Sequence, residues 1–375
     1  MRSRLIAMHK LSIVTMANKN LAAAKAAKND EFYTQYTDIQ KEINAYLDYN
    51  PNVFRGKTVL LPCDDPEWSN FTKFFAQNFE LLGLKKLIST SYAVESKKLK
   101  DWKPTLFETE NPLFDADKSK THGRIFILDE DVNGDGRFNI NDLKWTYLEG
   151  DGDFRSEEVR ALREEADIIV TNPPFSLFRE FVSWIMEANK QFIIIGNMNA
   201  ITYSDVFAFI KENRLWIGAT GFVTDMVFGV PSDANVSESD RKKAERLGYV
   251  GNYTRLGNSC WFTNIDHGRR HQPLSLMTME ENFKHSRHKD IRENKHYERY
   301  DNLDGIEIPY SDSIPSDFEG IMGVPISFMD RYCPEQFEIV GQMANTNITT
   351  FNFGYPFVKG KRKYARILIR KKKLQ

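Results

Sequence analysis

The sequence predicts an α/β fold built on a parallel, doubly wound sheet, and three observations predict it. Short, continuous apolar runs with β-branched centres recur up to about residue 195. Segments with apolar residues at helical spacing separate several of them, and the runs end in polar turns. Strands apolar on both faces belong to parallel sheets covered by helices on each side.

The elements follow in chain order. Residues 1–29 are rich in Lys and Ala without a buried face, so a flexible N-terminal segment is expected. Lys57-Thr-Val-Leu-Leu61 reads as a buried strand that enters the turn-rich Pro62-Cys63-Asp64-Asp65-Pro66. Ser69 or Asn70 can cap a helix through Phe71, Phe74, Phe75, Asn78 and Leu82, which stops near Gly83 and feeds a strand at Lys86-Leu-Ile-Ser-Thr-Ser91. Strand, loop, helix and strand make a βαβ unit. Further strands are expected at Arg124–Leu128, Asp167–Thr171 and Gln191–Ile195, with a helix over Ser176–Ala188. Beyond about residue 230 the pattern becomes polar and turn-rich, with short strands such as Ser259–Thr263 and a cluster of Pro, Asp and Ser at 301–317. A main α/β domain over 30–230, the one that would carry any catalytic site, and an appended region over 231–375 are therefore expected.

The chain has 375 residues, 41% of them hydrophobic and 13% aromatic, enough for a substantial core. No run approaches the eighteen or so apolar residues of a membrane span, and the apolar start is broken by His9 and Lys10, so neither a membrane anchor nor a signal peptide is expected. Cytoplasmic residence is the expectation. Cys63, Cys260 and Cys333 are far apart without metal-ligand spacing, which suits reduced thiols. The net charge of -1 offers no global attraction to nucleic acid, so such a surface must come from local segregation of charge. Lys359 to Lys373, KGKRKYARILIRKKK, contains no acid, and His267-Gly268-Arg269-Arg270-His271 is also basic. A terminal basic run is either a solvated tail or a phosphate-binding segment.

Ligands of open parallel sheets bind beyond the carboxyl ends of the strands. At that edge, directly after the strand at 167–171, stands Asn172-Pro173-Pro174-Phe175. Two consecutive prolines fix two φ angles and remove two N–H donors, leaving a stiff loop whose carbonyls are acceptors. An aromatic amino nitrogen is a poor nucleophile because its lone pair is delocalised. Acceptors held at both its N–H groups favour the localised, tetrahedral form. The Asn172 side-chain oxygen and the Pro173 carbonyl can supply them, with Phe175 on the base face, which aligns the amine for attack on a sulfonium methyl without a low-pKa base.

Glu31-Phe32-Tyr33-Thr34-Gln35, Pro62-Cys63-Asp64-Asp65-Pro66 with Ser69-Asn70-Phe71, Gly150-Asp151-Gly152-Asp153-Phe154-Arg155-Ser156 and Thr171-Asn172-Pro173-Pro174-Phe175-Ser176 together resemble the EcoRI-type adenine-specific DNA methyltransferases, from about residue 30 to at least 200. The resemblance implies a Rossmann-like S-adenosylmethionine-dependent methyltransferase sheet with a C-terminal target-recognition region. It implies catalysis by Asn172, Pro173, Pro174 and Phe175 on an adenine flipped out of double-stranded DNA, as in a restriction-modification system. S-adenosylmethionine would be held by Tyr33 and Thr34 at its methionine end, by the loop of Pro62, Asp64 and Asp65, and by Asp153 and Phe154 at its adenine. The usual glycine-rich loop after the first strand is missing, and no acid ends the next strand, so the ribose partner is unassigned. Asp64, Asp65 and Asp153 have turn-forming and helix-capping duty as their alternative reading. DNA contacts are expected from Arg269, Arg270, Lys361, Arg362 and Lys363, with no obligate protein partner.

Asp131, Asn133, Asp135, Asn139 and Asp142 stand at positions 1, 3, 5, 9 and 12 of a calcium loop, with Gly136 at position 6. Position 12 is Asp rather than Glu, a strand precedes the loop, and no second loop pairs with it, so a turn between strands is preferred to a calcium site. Competing functions are N-methylation of a protein glutamine or of RNA, and a calcium-dependent interaction protein with a degenerate methyltransferase core.

Overall fold

The structure is a computed structural model that describes residues 32–64, 69–93, 113–138, 140–222, 226–230 and 237–372. The expected flexible segment 1–29, Asp65 and Asn139 lie outside the described residues. The chain forms two compact units, and neither is contiguous. Unit 1 comprises residues 1–43, 52–196 and 225–257; unit 2 comprises 44–51, 197–224 and 258–375.

Unit 1 is built on strands β1 (Tyr33–Thr34), β2 (Thr58–Leu61), β3 (Lys86–Ser91), β4 (Arg124–Leu128), β5 (Lys144–Tyr147), β6 (Ile168–Thr171) and β7 (Gln191–Asn197). Six of these run in the order β5-β4-β3-β2-β6-β7. The central four are parallel: β2 pairs with β3 and with β6, and β6 pairs with β7. Val59, Leu60, Ile168, Ile169, Val170, Ile193 and Ile194 are fully buried, as strands covered on both faces require.

The expectation of a wholly parallel sheet is corrected at one edge. Strand β4 runs antiparallel to β3, and β5 antiparallel to β4. The burial of β4 alternates along its length, so one face alone is covered, which an antiparallel edge tolerates. The loop 129–143 that joins the pair contains the Asn-Gly-Asp-Gly sequence.

Helix Asn70–Gln77 begins at Ser69, whose side chain accepts from the Phe71 amide, and buries Phe71, Phe74 and Phe75. The helical segment expected to run on to Leu82 is interrupted at Asn78 and resumes over Phe79–Leu82. It stops at Gly83 in the left-handed region, φ 64°, where only glycine is unstrained. The helix expected from Ser176 opens as a short 3₁₀ turn at Phe175–Leu177 and continues as Phe178–Glu187, burying Phe181, Trp184 and Ile185. A small antiparallel sheet joins β1 to Val227–Gly229, and Val227–Gly229 to Tyr253–Arg255.

Unit 2 holds a four-stranded sheet in the order Gly305–Glu307, Ile321–Pro325, Arg366–Lys371, Phe337–Met343. Its first pair is parallel and the others antiparallel. The acid-free run at the C-terminal end is therefore not a tail over its whole length. Ile367, Leu368 and Ile369 are fully buried in the second-to-last strand of that sheet, because three consecutive large aliphatics outweigh the charges on either side. Arg366 is drawn in with them and paired to buried Glu307, which also accepts from the Tyr300 hydroxyl. No helix among the described residues is long and apolar enough to cross a membrane.

Candidate active site

From β2 the chain passes outward to β3, and β6 lies on the other side of β2. The gap between the ends of β2 and β6 is thus the topological switch point of the parallel strands, where a crevice opens in folds of this kind. Asp64 follows β2 there and Asn172 follows β6.

Asp64 is 6% exposed, and its two carboxylate oxygens are divided between two elements. Oδ1 accepts from Ser69 Oγ at 2.6 Å and Oδ2 from Thr171 Oγ1 at 2.6 Å. Its backbone N–H donates to the Thr90 carbonyl, and its own carbonyl accepts from Ser89 Oγ. One buried carboxylate thereby fixes a helix cap and the end of β6, a use of charge that only a full set of donors stabilises. The structure places Asp64 as a brace between the loops rather than as a side chain with open oxygens. Pro62 is buried beside it and Cys63 half-buried. None of the three cysteines is joined in a disulfide among the described residues.

Asn172 is oriented from one side only. Its Nδ2 donates to the Phe32 carbonyl at 2.6 Å, which turns Oδ1 the other way. That oxygen is buried and has no hydrogen-bond partner among the described residues. A buried acceptor left unpaired costs about 1–3 kcal/mol, so it calls for an explanation. Pro173 is buried, and Phe175 is half-buried with its ring 5.6 Å from that of Phe32, which meets Phe228 edge-on at 5.7 Å. Phe32 therefore supports the turn through both its carbonyl and its ring. The residue stands inside the element quoted for the resemblance, yet a carbonyl acceptor carries no side-chain signature that would single it out.

Thr34 is buried, its hydroxyl has no hydrogen-bond partner among the described residues, and its carbonyl accepts from Asn70 Nδ2 at 2.8 Å. Tyr33 packs against Gly229 of the neighbouring strand. At the end of β3, Thr90 is fully buried with a hydroxyl that has no hydrogen-bond partner among the described residues, a feature that sequence reasoning left without a role.

The Gly150–Ser156 element approaches the end of β3. The Ala93 amide donates to the Asp151 carbonyl. Gly152 has φ +83°, and a Cβ there would stand 2.3 Å from the Ser91 carbonyl, so glycine is required. Asp153 accepts from the Arg155 backbone amide and pairs with its guanidinium at 2.6 Å, a bond that raises the Arg155 pKa. Phe154 is buried, its ring meeting Phe181 and Trp184 edge-on at 5.1 and 5.6 Å. The ring thus belongs to the packing of helix Phe178–Glu187.

The 131–142 loop turns its oxygens on itself. Asp131 accepts from the Gly134 and Gly136 amides, Asn133 from Asp135, Asp135 from Arg137, and buried Asp142 from Val132 and Asn133. Among the described residues no cluster of three or more His, Cys, Asp or Glu is arranged to hold a metal.

The candidate DNA contacts of unit 2 divide in two. Arg269 is committed to Asp330, with Nη2 2.7 Å from its carboxylate. Arg270 is buried, its guanidinium 3.6 Å over the Trp216 ring and bonded to Asn213 and Asp266. Both hold this unit together. Lys361, Arg362 and Lys363 are exposed on a hairpin, with Arg362 stacked 3.4 Å over Tyr355.

The mixed sheet, with a stiff Asn-Pro-Pro-Phe turn at its switch point, defines a methyltransferase of the α/β class. More particularly, the chain belongs to the EcoRI family of adenine-specific methyltransferases: the family profile "Adenine-specific methyltransferase EcoRI" matches residues 20–372. It is 38% identical over 365 residues to the Type II methyltransferase M.EcoRI of Escherichia coli, covering 96% of this chain and 98% of the relative. It is 34% identical over 361 residues to the Type II methyltransferase M.MpnI of Mycoplasma pneumoniae, covering 93% and 97%. It is 33% identical over 363 residues to M.MgeORF184P of Mycoplasma genitalium, covering 94% and 98%. No solved structure matches the chain.

Proposed function

We propose that this chain transfers a methyl group from S-adenosylmethionine to the exocyclic N6 of an adenine that has left the stack of duplex DNA, as the modification enzyme of a restriction-modification system. Family membership makes it an adenine-specific methyltransferase with Type II relatives, and methylation of protein glutamine or of RNA is not favoured. One observation carries the mechanism: a buried amide oxygen, aimed by the Phe32 carbonyl and otherwise unpartnered. The adenine amino group is the donor that completes it.

In this reading Asn172 Oδ1 and the Pro173 carbonyl accept the two amino protons and localise the nitrogen lone pair. Phe175 stacks on the base. Pro173 and Pro174 keep the acceptors fixed, so little reorganisation is needed during reaction. S-adenosylmethionine supplies an electrophilic methyl when bound. The orphaned Thr34 hydroxyl fits the polar end of such a donor, and Tyr33, Pro62, Asp64, Asp65, Asp153 and Phe154 complete the proposed surround. Within it Asp64 positions the loops, and Phe154 acts through the helix it packs against. We read the sheet as Rossmann-like, unit 1 as the catalytic body, and the C-terminal region as the part that reads DNA, with phosphates met by Lys361, Arg362 and Lys363.

The test is transfer of a radioactive methyl from S-adenosylmethionine to duplex DNA, followed by nucleoside analysis. N6-methyladenine is expected, with loss of transfer in Asn172→Ala. Labelling of RNA or protein in place of DNA would refute the proposal. Sequencing DNA from cells that express the protein reports the modified site.

A further inference from the structure

We propose that Tyr364 is a DNA contact of its own kind, a ring that stacks on an exposed nucleobase while Lys361 and Lys363 beside it meet phosphates. This rests on the DNA-methyltransferase reading above and adds a residue and a mode of contact to it.

The support is structural. Phe357–Val358 and Lys361–Arg362 form a two-stranded hairpin closed by Lys359 and Gly360, both at positive φ, 50° and 71°. Two consecutive left-handed residues match the twist of the flanking strands and make a tight, well-defined turn. Asp301 clamps that turn from below, accepting from the Lys359 amide at 2.9 Å and the Gly360 amide at 2.7 Å. The Asp301 amide in turn donates to Phe357, and the Lys363 amide to Pro356. Lys359 is spent on Glu298 at 2.7 Å, and Arg362 lies over Tyr355. Two residues beyond Tyr364, Arg366 is buried against Glu307 and its guanidinium reaches back to the Tyr364 carbonyl. The Tyr364 backbone is thus held on both sides.

Its side chain is not. At 89% exposure it is the most open of the large hydrophobic residues described. A rigidly mounted ring held out in water, within a run that contains no acid, has the two properties of a nucleic-acid platform: a π-face and surrounding positive charge. Intact duplex DNA offers its base faces only at a break in the stack. The proposed reaction makes such a break, because the target adenine must leave the helix. Stacking there is indifferent to base identity, so Tyr364 contributes affinity for the distorted duplex, not sequence discrimination.

The experiment uses the full chain and a duplex carrying the sequence that the wild-type enzyme methylates. Affinity is read by fluorescence anisotropy across a salt series for wild type, Tyr364→Ala, Tyr364→Phe and Lys361→Ala/Lys363→Ala. Tyr364→Ala is expected to weaken binding roughly 5- to 150-fold with an unchanged salt slope, and Tyr364→Phe to stay within about twofold of wild type. The double lysine variant is expected to lower the salt slope by about 2. Undiminished affinity in Tyr364→Ala overturns the proposal while leaving the methyltransferase reading intact. Equal loss in Phe and Ala variants also overturns it, since the hydroxyl rather than the ring would then be the contact. A wild type that neither binds nor methylates DNA overturns both.

Discussion

Asn172→Ala separates the two jobs of one amide. In the free protein, the substitution removes the Nδ2 bond to the Phe32 carbonyl at 2.6 Å, a net loss of about 0.5–1.5 kcal/mol. It also removes the buried, unpartnered Oδ1, whose desolvation penalty is about 1–3 kcal/mol. The two effects oppose each other, so stability should change by no more than about 2.5 kcal/mol. In the reaction nothing offsets the loss. Deleting one preorganised acceptor of developing charge costs about 2.7–4 kcal/mol, a fall of about 10²–10³ in the rate of methyl transfer. Single-turnover transfer to duplex DNA, with affinity and thermal melting measured on the same preparation, gives the three quantities separately. A variant that retains transfer within tenfold of wild type would refute the role of Oδ1. Unfolding at assay temperature would show Asn172 to be structural instead. Asn172→Asp sharpens the test. A carboxylate oxygen would face the Phe32 carbonyl, which favours the protonated form and raises its pKa. Relative to wild type, its activity should therefore increase as pH falls, and an alkaline optimum would contradict the geometry.

Other consequences are open to measurement. His267 is buried with its Nε2 on the Ile217 carbonyl, and burial pushes its pKa down to about 4 from 6.5. The unfolded chain then takes up the proton first, so stability is lost as pH falls from 6.5 to about 4, by roughly 3 kcal/mol in all. His271, raised by its bond to Asp266, acts in the opposite sense, contributing stability at low pH that is lost as pH rises. Urea titrations across that window should show a shallower slope in His267→Gln, and an identical slope would exclude this group. Arg366→Met leaves Glu307 buried and unpaired and should cost about 3–5 kcal/mol, whereas Arg366→Met/Glu307→Leu should recover much of it; a denaturant midpoint unmoved by the single change would count against the pair. Thr171→Val takes one donor from the Asp64 carboxylate and should lower stability by about 1.5–3 kcal/mol in calorimetry. No change would mean that Asp64 does not brace the loops as described.

The interior strands of unit 1 were legible because burial on both faces writes itself as an uninterrupted apolar run. Thr58–Leu61 and Ile168–Thr171 differ from their predicted bounds by one residue at the start; outside that interior set, half-covered Arg124–Leu128 and, in unit 2, Ser259–Thr263 coincide with theirs. Direction was not legible for β4, since pairing partners decide it and composition does not. Strand Arg366–Lys371 was hidden by its neighbours: Arg366, Arg370 and Lys371 made Ile367–Ile369 look like part of a charged terminus. The Asn172-Pro173-Pro174-Phe175 turn could be read because its signature is local, four residues directly after a strand. Its supports could not. Thr171 reaches an aspartate 107 positions away, and Asn172 a carbonyl 140 positions away, separations at which a single sequence carries no pairing signal. Arg269 and Arg270 illustrate the converse, since a basic cluster looks the same whether it faces phosphate or is consumed by Asp330, Asp266 and Trp216.

The interleaving of the two units bears on how the polypeptide emerges during synthesis. Once residue 257 has left the ribosome, every segment of unit 1 is present, whereas segments 44–51 and 197–224 of unit 2 must wait for residues 258 onward. Val206, Phe207, Ile210, Leu215 and Ile217, all buried in the finished protein, belong to that waiting stretch. A nascent chain halted near residue 260 would accordingly display a sticky interior loop from an otherwise finished body, a natural substrate for chaperones and a point at which truncated products would clump.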